Sequence, residues 1–397
     1  MKVLFDKKGK KSIQLLDTST TDTKCQYKMA YVNGPGLIFN DVSNNIIYGD
    51  RLYQYQGFKE INGNLPLLKT ANYMFGNIST IDSPLKEVSL SVPVLLEANN
   101  MFTQNKNLKS AHINAPLLTS AKNLFYHCEK LTDVEINAPL VTNVSGIFRG
   151  CSEIETIDIS NMINVENISY GFFECTNLKS LNISPSKATN GNYAFEKCNS
   201  LTSISGDFSS LTTAEGMFER CESLETCSVI FGPLTNINLI FRECKNLKTF
   251  NGDMSLVTTT ASSSTFSSFY DCISLETFNS DLTNMEYGNR LFYNCISLAN
   301  FSGKLSSLID GNGMFRRCKL TLQSVQNIVN TLINDNTYSG ASTTPTITLG
   351  IDSTYKQDVI NYLNQIGCAI GEDETQTLST ILRTSVGQDW TLEINWN

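Results

Sequence analysis

Twelve cysteines and only two histidines carry most of the reactive side-chain chemistry of this 397-residue chain. Nine of the cysteines (Cys128, Cys151, Cys175, Cys198, Cys221, Cys244, Cys272, Cys295 and Cys318) stand three residues after a recurring phenylalanine. Thiols in such numbers can bind metal, form disulfides or act as nucleophiles. A zinc site needs clustered C-x-x-C spacing, which is absent. A nucleophile needs a specific cationic neighbour to lower its pKa, and nine equivalent thiols cannot all have one. If each sits on its own coil of a stack, neighbouring thiols are about 4.8 Å apart, within disulfide Cα range. Parallel side chains, however, have poor Cβ geometry for a bridge. The expected role is a ladder of small buried thiols filling the core. His112 and His127 have no recurring carboxylate or cysteine partner and are expected at the surface. No phosphate-binding loop, H-E-x-x-H helix or EF-hand loop is present. The expectation is a non-enzymatic chain with no catalytic residue, metal or cofactor.

The elements behind the thiols are set by a repeat. The aromatic recurs at Phe75, Phe102, Phe125, Phe148, Phe172, Phe195, Phe218, Phe241, Phe269, Phe292 and Phe315, at intervals of 23 or 24 residues except for one of 27 and one of 28. A period in this range means a solenoid in which each coil packs on its neighbours. After each cysteine position an apolar residue follows at +3 and +6, and often at +8, as in Leu131, Val134 and Ile136. The end of this pattern alternates with period 2, so each coil contributes one strand to a parallel sheet. The segment from Ala115 to Phe125, with Leu118, Ala121 and Leu124, is expected to return through one or two turns of 3₁₀ or α helix. The inward ladder then comprises Phe125, Cys128, Phe148, Cys151, Phe195, Cys198, Phe218, Cys221, Phe241, Cys244, Phe292 and Cys295. Ile78 and Asn105 replace the cysteine in the first two units, and residues 258–265 insert about five residues expected to bulge from the return side.

Positions +5 and +7 after the cysteine point outward from the sheet. They give Ser110 and His112, Asp133 and Glu135, Thr156 and Asp158, Ser180 and Asn182, and onward through Ser205, Ser228, Asn251 and Asn279. The candidate interaction face is Asp133, Glu135, Thr156, Asp158, Asn182, Ser205, Ser228, Asn251 and Asn279. It is short, polar and without the Trp, Tyr and Arg that dominate protein-binding hot spots. Two readings follow: a solvated ladder of mutually bonded Ser, Thr and Asn, or a ligand-binding face.

The array is flanked on both sides. Residues 1–57 lack the repeat. Short apolar runs at Val3–Phe5, Ser12–Leu16, Gln26–Val32 and Asn45–Tyr48 predict a small β-rich segment that caps the first coil or docks elsewhere. Residues 58–318 form the solenoid. Residues 319–397 predict a helix over Thr321–Ile333, a strand over Thr346–Ile351, and a helix from an N-cap at Ser353 to Ile366. A third helix over about Glu374–Thr384 and a strand over Trp390–Trp396 follow. This α/β module is expected to continue the parallel sheet and seal the last coil.

Composition narrows the function classes. The formal charge is −8, and no basic patch with interleaved aromatics marks a nucleic-acid interface. No apolar run reaches the length of a membrane span. The first residues, Met1-Lys2-Val3-Leu4-Phe5-Asp6-Lys7-Lys8, have no apolar region behind their charges, so export through a signal peptide is not expected.

The unit Tyr193-Ala194-Phe195-Glu196-Lys197-Cys198-Asn199-Ser200-Leu201-Thr202-Ser203-Ile204 resembles the BspA-like class of bacterial leucine-rich repeats. The resemblance covers about residues 58–318. It implies an α/β solenoid: a leucine-rich repeat arc of about 11 coils with a parallel β-sheet on one face, a small β-rich N-terminal segment and an α/β C-terminal cap. It also implies a role in adhesion or protein interaction. The last 80 residues, through Met314-Phe315, Cys318-Lys319-Leu320, Ile347–Ile351 and Trp390 to Trp396, resemble the closing module of leucine-rich repeat proteins of gut bacteriophages. Two expectations stand together. One is a virion structural protein of tail, fibre or capsid, assembled in the host cytoplasm, with other virion proteins and a host-surface protein or glycan as partners. The other is an adhesin of the bacterial cell surface. Neither inserts into membrane, and a homo-oligomer is expected on a symmetric particle.

Overall fold

Within each of the chain's two compact units, the recurring phenylalanines lie flat against their counterparts on the next coil. The structure, a computed structural model, describes residues 2–5, 11–14, 37–41, 46–54, 57–77, 83–183, 185–259, 267–335, 345–368, 377–382 and 389–397. Two compact units divide the chain, Met1–Lys187 and Ala188–Asn397. Both are built from parallel β-solenoid coils, one short strand per coil. The helices among the described residues lie in the C-terminal module.

In the first unit the strands are β1 (Lys2–Phe5), β2 (Lys11–Gln14), β3 (Leu37–Asp41), β4 (Phe58–Asn64), β5 (Glu87–Ser91), β6 (Ser110–Asn114), β7 (Asp133–Asn137), β8 (Thr156–Asp158) and β9 (Ser180–Asn182). β1 and β2 form an antiparallel pair. β3 to β7 form one parallel sheet in chain order, and β8 pairs with β9. Within this sheet Ile61, Val88 and Ala111 sit side by side facing the core. Rings of Phe75, Phe102, Phe125 and Phe148 stack with centroids 5.6 and 5.7 Å apart.

The stack begins one coil earlier than the phenylalanine spacing reveals. Tyr53 lies parallel to Phe75 at 5.5 Å and takes the aromatic's place. Its backbone follows the same ladder, with Gly49, Arg51 and Tyr53 N–H groups donating to Thr70, Asn72 and Met74 carbonyls. β3 therefore extends the solenoid sheet by pairing in parallel with β4. Of the run expected at Asn45–Tyr48, Asn45 lies outside the described residues and residues 46–48 are not a strand; Tyr48 makes a single bridge to Thr70. Gln26–Val32 lies outside the described residues, as does most of the 258–265 insertion.

The return segments are not helical. Leu124 and Cys128 N–H groups close turns onto Ala121 and Phe125 carbonyls three residues back. Between them the N–H groups of Ala121, Asn123, Phe125 and His127 reach carbonyls of the next coil, Asn143, Ser145, Ile147 and Arg149. A helix would satisfy all these donors internally, so the alternation excludes one. It requires left-handed backbone at two positions per coil, here Asn123 (φ 52°) and His127 (φ 53°). Where the neighbouring coil presses closest glycine is used: a Cβ at Gly150 (φ 76°) would collide with the His127 ring.

In the second unit β10 (Ser203–Phe208), β11 (Thr226–Phe231), β12 (Thr249–Phe250), β13 (Thr277–Phe278) and β14 (Asn300–Phe301) form a parallel sheet in chain order. Phe195, Phe218, Phe241, Phe269, Phe292 and Phe315 stack at 5.0 to 5.3 Å. Phe250, Phe278 and Phe301 make a second stack behind the strands.

The C-terminal module comprises β15 (Gly311–Leu320), α1 (Leu322–Asn330), β16 (Thr346–Ile351), α2 (Lys356–Gln365), β17 (Thr377–Leu382) and β18 (Trp390–Trp396). Three expectations are corrected here. The segment expected as a third helix is a strand, β17, antiparallel to β18, and its Thr-Leu-Ser-Thr-Ile-Leu composition suits a sheet edge. Ser353 is not the N-cap of α2: it begins a short 3₁₀ turn capped by Asp352, whose carboxylate accepts from Thr354 N–H, and α2 follows from Tyr355 without a side-chain cap. The new sheet, in the order β15-β16-β18-β17, grows from the last return segment and not from the β10–β14 sheet. That sheet is closed by α1 instead: Ser324 Oγ accepts from Phe301 N–H at 3.0 Å and donates to the Ala299 carbonyl at 2.8 Å.

Candidate interaction face

The thiols are structural in their surroundings. Cys128, Cys151 and Cys175 each donate from Sγ to the carbonyl of the stacked phenylalanine one coil earlier, Phe102, Phe125 and Phe148, at 3.2 Å. Cys221, Cys244, Cys272, Cys295 and Cys318 do the same in the second unit. Cys198 is fully buried beside Phe195 in the same phase. All eleven described cysteines are free and buried. Burial disfavours the thiolate and pushes the Cys221 pKa from the usual 9.0 up to about 12, and its neighbours upward as well.

Among the described residues no group of three or more His, Cys, Asp or Glu side chains is arranged to hold a metal ion. No helix among them is long and apolar enough to cross a membrane. His127 is half-buried against Tyr126, with ring centroids 4.3 Å apart, and burial lowers its pKa.

The outward strand residues are exposed: Asp133, Glu135, Thr156, Asp158 and Asn182 in the first unit, and Ser205, Ser228, Asn251 and Asn279 in the second. They do not behave alike. In the second unit short polar groups bond along the ladder, as Ser302 Oγ does to Asn279 Oδ1. Asp158 sits on β8, outside the first unit's main sheet, and hydrogen bonds from Ser160 hold its carboxyl below the usual range.

Sheet β4 to β7 presents a different face. Parallel register aligns Asn62, Ser89, His112 and Glu135 in one column and Glu60, Glu87, Ser110 and Asp133 in the next. A third column runs through Asn64, Ser91, Asn114 and Asn137, where Asn137 Nδ2 donates to Asn114 Oδ1 at 2.8 Å. The first column, together with Ser91, Asn114 and Asn137 of the third, lines an open groove of about 570 Å³. His112 Nε2 meets Asp133 Oδ2 at 3.1 Å. Among the described residues Glu60 and Glu87 have no ion-pair partner, although register sets them directly opposite each other. Paired like charges weaken a sheet slightly, so the fold retains them at a cost.

Exposed leucines follow the third column in sequence. Leu67, Leu117 and Leu140 follow Asn64, Asn114 and Asn137 by three residues and are 45, 42 and 45 % exposed. Counting from the cysteine phase captured His112, Asp133 and Glu135. It missed Glu87 and Ser89 because the 27-residue interval shifts that strand four residues from its usual phase, and Glu60 and Asn62 because the coil before them has Tyr53 and Gln56 in place of phenylalanine and cysteine. The alternation of Glu87-Val88-Ser89-Leu90-Ser91 was the available signal.

One strand per coil, parallel register and a stacked ring in every coil define a leucine-rich repeat solenoid. The chain belongs to the BspA type leucine rich repeat family, whose six-copy repeat region matches it over residues 46–173, 72–202, 122–248 and 212–345. Several solved structures are similar. A leucine-rich repeat protein from Bacteroides ovatus is 18 % identical, with 86 % of this chain and 97 % of that chain covered and a TM-score of 0.35. A leucine rich cell surface protein from Faecalibacterium prausnitzii is 14 % identical over 77 % of this chain and 87 % of its own, with a TM-score of 0.30. A leucine-rich repeat protein from Eubacterium ventriosum is 15 % identical over 66 % and 84 %, with a TM-score of 0.35. No curated protein matches the chain.

Proposed function

We propose that this chain is a non-enzymatic recognition scaffold of the adhesion type, working at a bacterial cell surface and gripping a protein partner on the β4–β7 face. The observation that carries this reading is the β4–β7 face: three registered columns of hydrogen-bonding side chains, two of them along the groove, with Glu60 and Glu87 left without cationic partners and exposed leucines three residues past the third column. Unpaired Glu60 and Glu87 beside Asp133 and Glu135 favour a partner with basic groups. The exposed leucines add the apolar contact that a protein partner supplies and a purely polar ligand does not. Family membership agrees with an adhesion or protein-interaction role. The comparisons add nothing to the virion reading.

The test is capture of surface proteins from a host or neighbouring cell by the immobilised chain, with Glu87→Lys/Glu135→Lys and Leu117→Asp as variants. The reading expects both variants to lose the captured partner while retaining wild-type thermal stability. Capture that neither variant changes would remove this face from consideration.

A further inference from the structure

Tyr and Arg are missing from the sheet face but gathered on the return edge of the last coils of the second unit. Tyr270 and Tyr293 stack face to face with centroids 5.1 Å apart and planes 3° from parallel. Arg242 covers the far side of Tyr270 at 5.8 Å, and Arg316 covers the far side of Tyr293 at 6.0 Å. The four side chains form one column because they occupy the same phase of successive coils, the residue after each ladder phenylalanine. A guanidinium held over a ring is pre-oriented with its N–H edges turned outward.

The two ends of the column differ in charge compensation. Arg242 is answered by Glu219 at 3.5 Å and Glu243 at 3.2 Å, and Arg220 by Glu243 at 3.1 Å. Among the described residues no carboxylate pairs with Arg316, Arg317 or Arg290. The Arg290 stem runs across Gly313, 3.2 Å from where a Cβ would stand, with the Tyr293 ring 3.9 Å from the same point. The glycine (φ 70°) thus lets Arg290, Tyr293 and Arg316 share one patch. Ile273 and Ile296, both exposed, follow in the phase one residue past the cysteine.

We infer that this edge is a second interaction surface, built to receive an acidic segment of a partner protein. Pre-oriented arginines flanked by tyrosine and exposed isoleucine are the residue set that concentrates binding energy in protein interfaces. Unanswered guanidiniums select carboxylates, which they bind bidentately. The isoleucines and ring edges favour a peptide with apolar side chains over a bare polyanion.

The experiment uses the full chain and a synthetic glutamate–tyrosine copolymer as probe, with heparin as comparison, by titration calorimetry at low and physiological ionic strength. The inference expects the copolymer to bind more tightly than heparin. It expects binding to fall about tenfold or more in Arg290→Glu/Arg316→Glu and measurably in the size-matched Arg316→Gln. Lys248→Glu, whose lysine pairs with Glu225 elsewhere on the coil, should leave binding unchanged. Absence of copolymer binding, or heparin binding more tightly, overturns the assignment. So does charge-reversal-sensitive self-association in ultracentrifugation without copolymer binding, which would make the occupant a second copy. Failure here leaves the β4–β7 face untouched, since Glu135→Lys reads that face separately.

Discussion

Asn105 donates from its side-chain amide to the Phe75 carbonyl at 3.0 Å, the bond that a cysteine thiol makes in the later coils. The same Nδ2 also donates to the Phe102 carbonyl at 2.8 Å. The departure from the cysteine pattern is therefore a substitution of donor, not loss of function in an edge repeat. What the position demands is a small buried group that can satisfy the ring-bearing residue's carbonyl. Asn105→Ala should take the amide donor from both carbonyls, leaving Phe102 with the Cys128 thiol and the Asn105 backbone N–H, and cost about 1 kcal/mol in urea denaturation. Asn105→Cys should recover part of that loss. Equal stability of the alanine variant and wild type would refute the shared role.

The inward half of each coil was legible because it is the half that repeats. Phenylalanine, cysteine and leucine hold their phase, and packing density tolerates little change there. The coil before Phe58 escaped notice because Tyr53 replaces phenylalanine and no cysteine follows it. β17 was misread because Leu378, Ile381 and Leu382 have helical spacing, while the antiparallel pairing with β18 that makes it a strand is a non-local fact. The Arg242–Tyr270–Tyr293–Arg316 column was equally hidden. Its residues differ from copy to copy, so no period marks them, and only stacking of the coils brings them together.

The Cys221 thiol gives the fold a pH dependence of defined sign. Burial raises its pKa from 9.0 to about 12, so the folded chain keeps a proton that the unfolded chain releases above pH 9. Stability from this group is complete below pH 9 and declines as pH rises toward 12, at about 1.4 kcal/mol per pH unit. Cys221→Ala should be less stable than wild type at neutral pH, because the buried side chain leaves a gap and the Phe195 carbonyl loses one of its donors, keeping the Cys198 N–H. The gap between the two should narrow as pH rises above 9. A gap that stays constant or widens in alkaline urea titrations would contradict the assignment. Thiol reagents at mildly alkaline pH should leave the ladder unmodified until the chain unfolds, since neither access nor thiolate is available.

Ser324 is where a solenoid that could keep adding coils is stopped. Its hydroxyl fills both backbone positions that another strand would occupy, accepting from Phe301 N–H and donating to the Ala299 carbonyl. Its own N–H is capped by Thr321 Oγ1 at 3.3 Å, which fixes the start of α1 against β14. Ser324→Ala should therefore strand the Phe301 N–H, while the Ala299 carbonyl keeps the Thr321 N–H, cost about 1–3 kcal/mol, and accelerate hydrogen exchange at the Phe301 amide. Thr321→Ala should cost about 1 kcal/mol through the lost cap while leaving the Phe301 amide protected. If the two variants gave the same exchange pattern at Phe301, Ser324 would be only a helix residue, and the sheet's end would have to be sealed by something else.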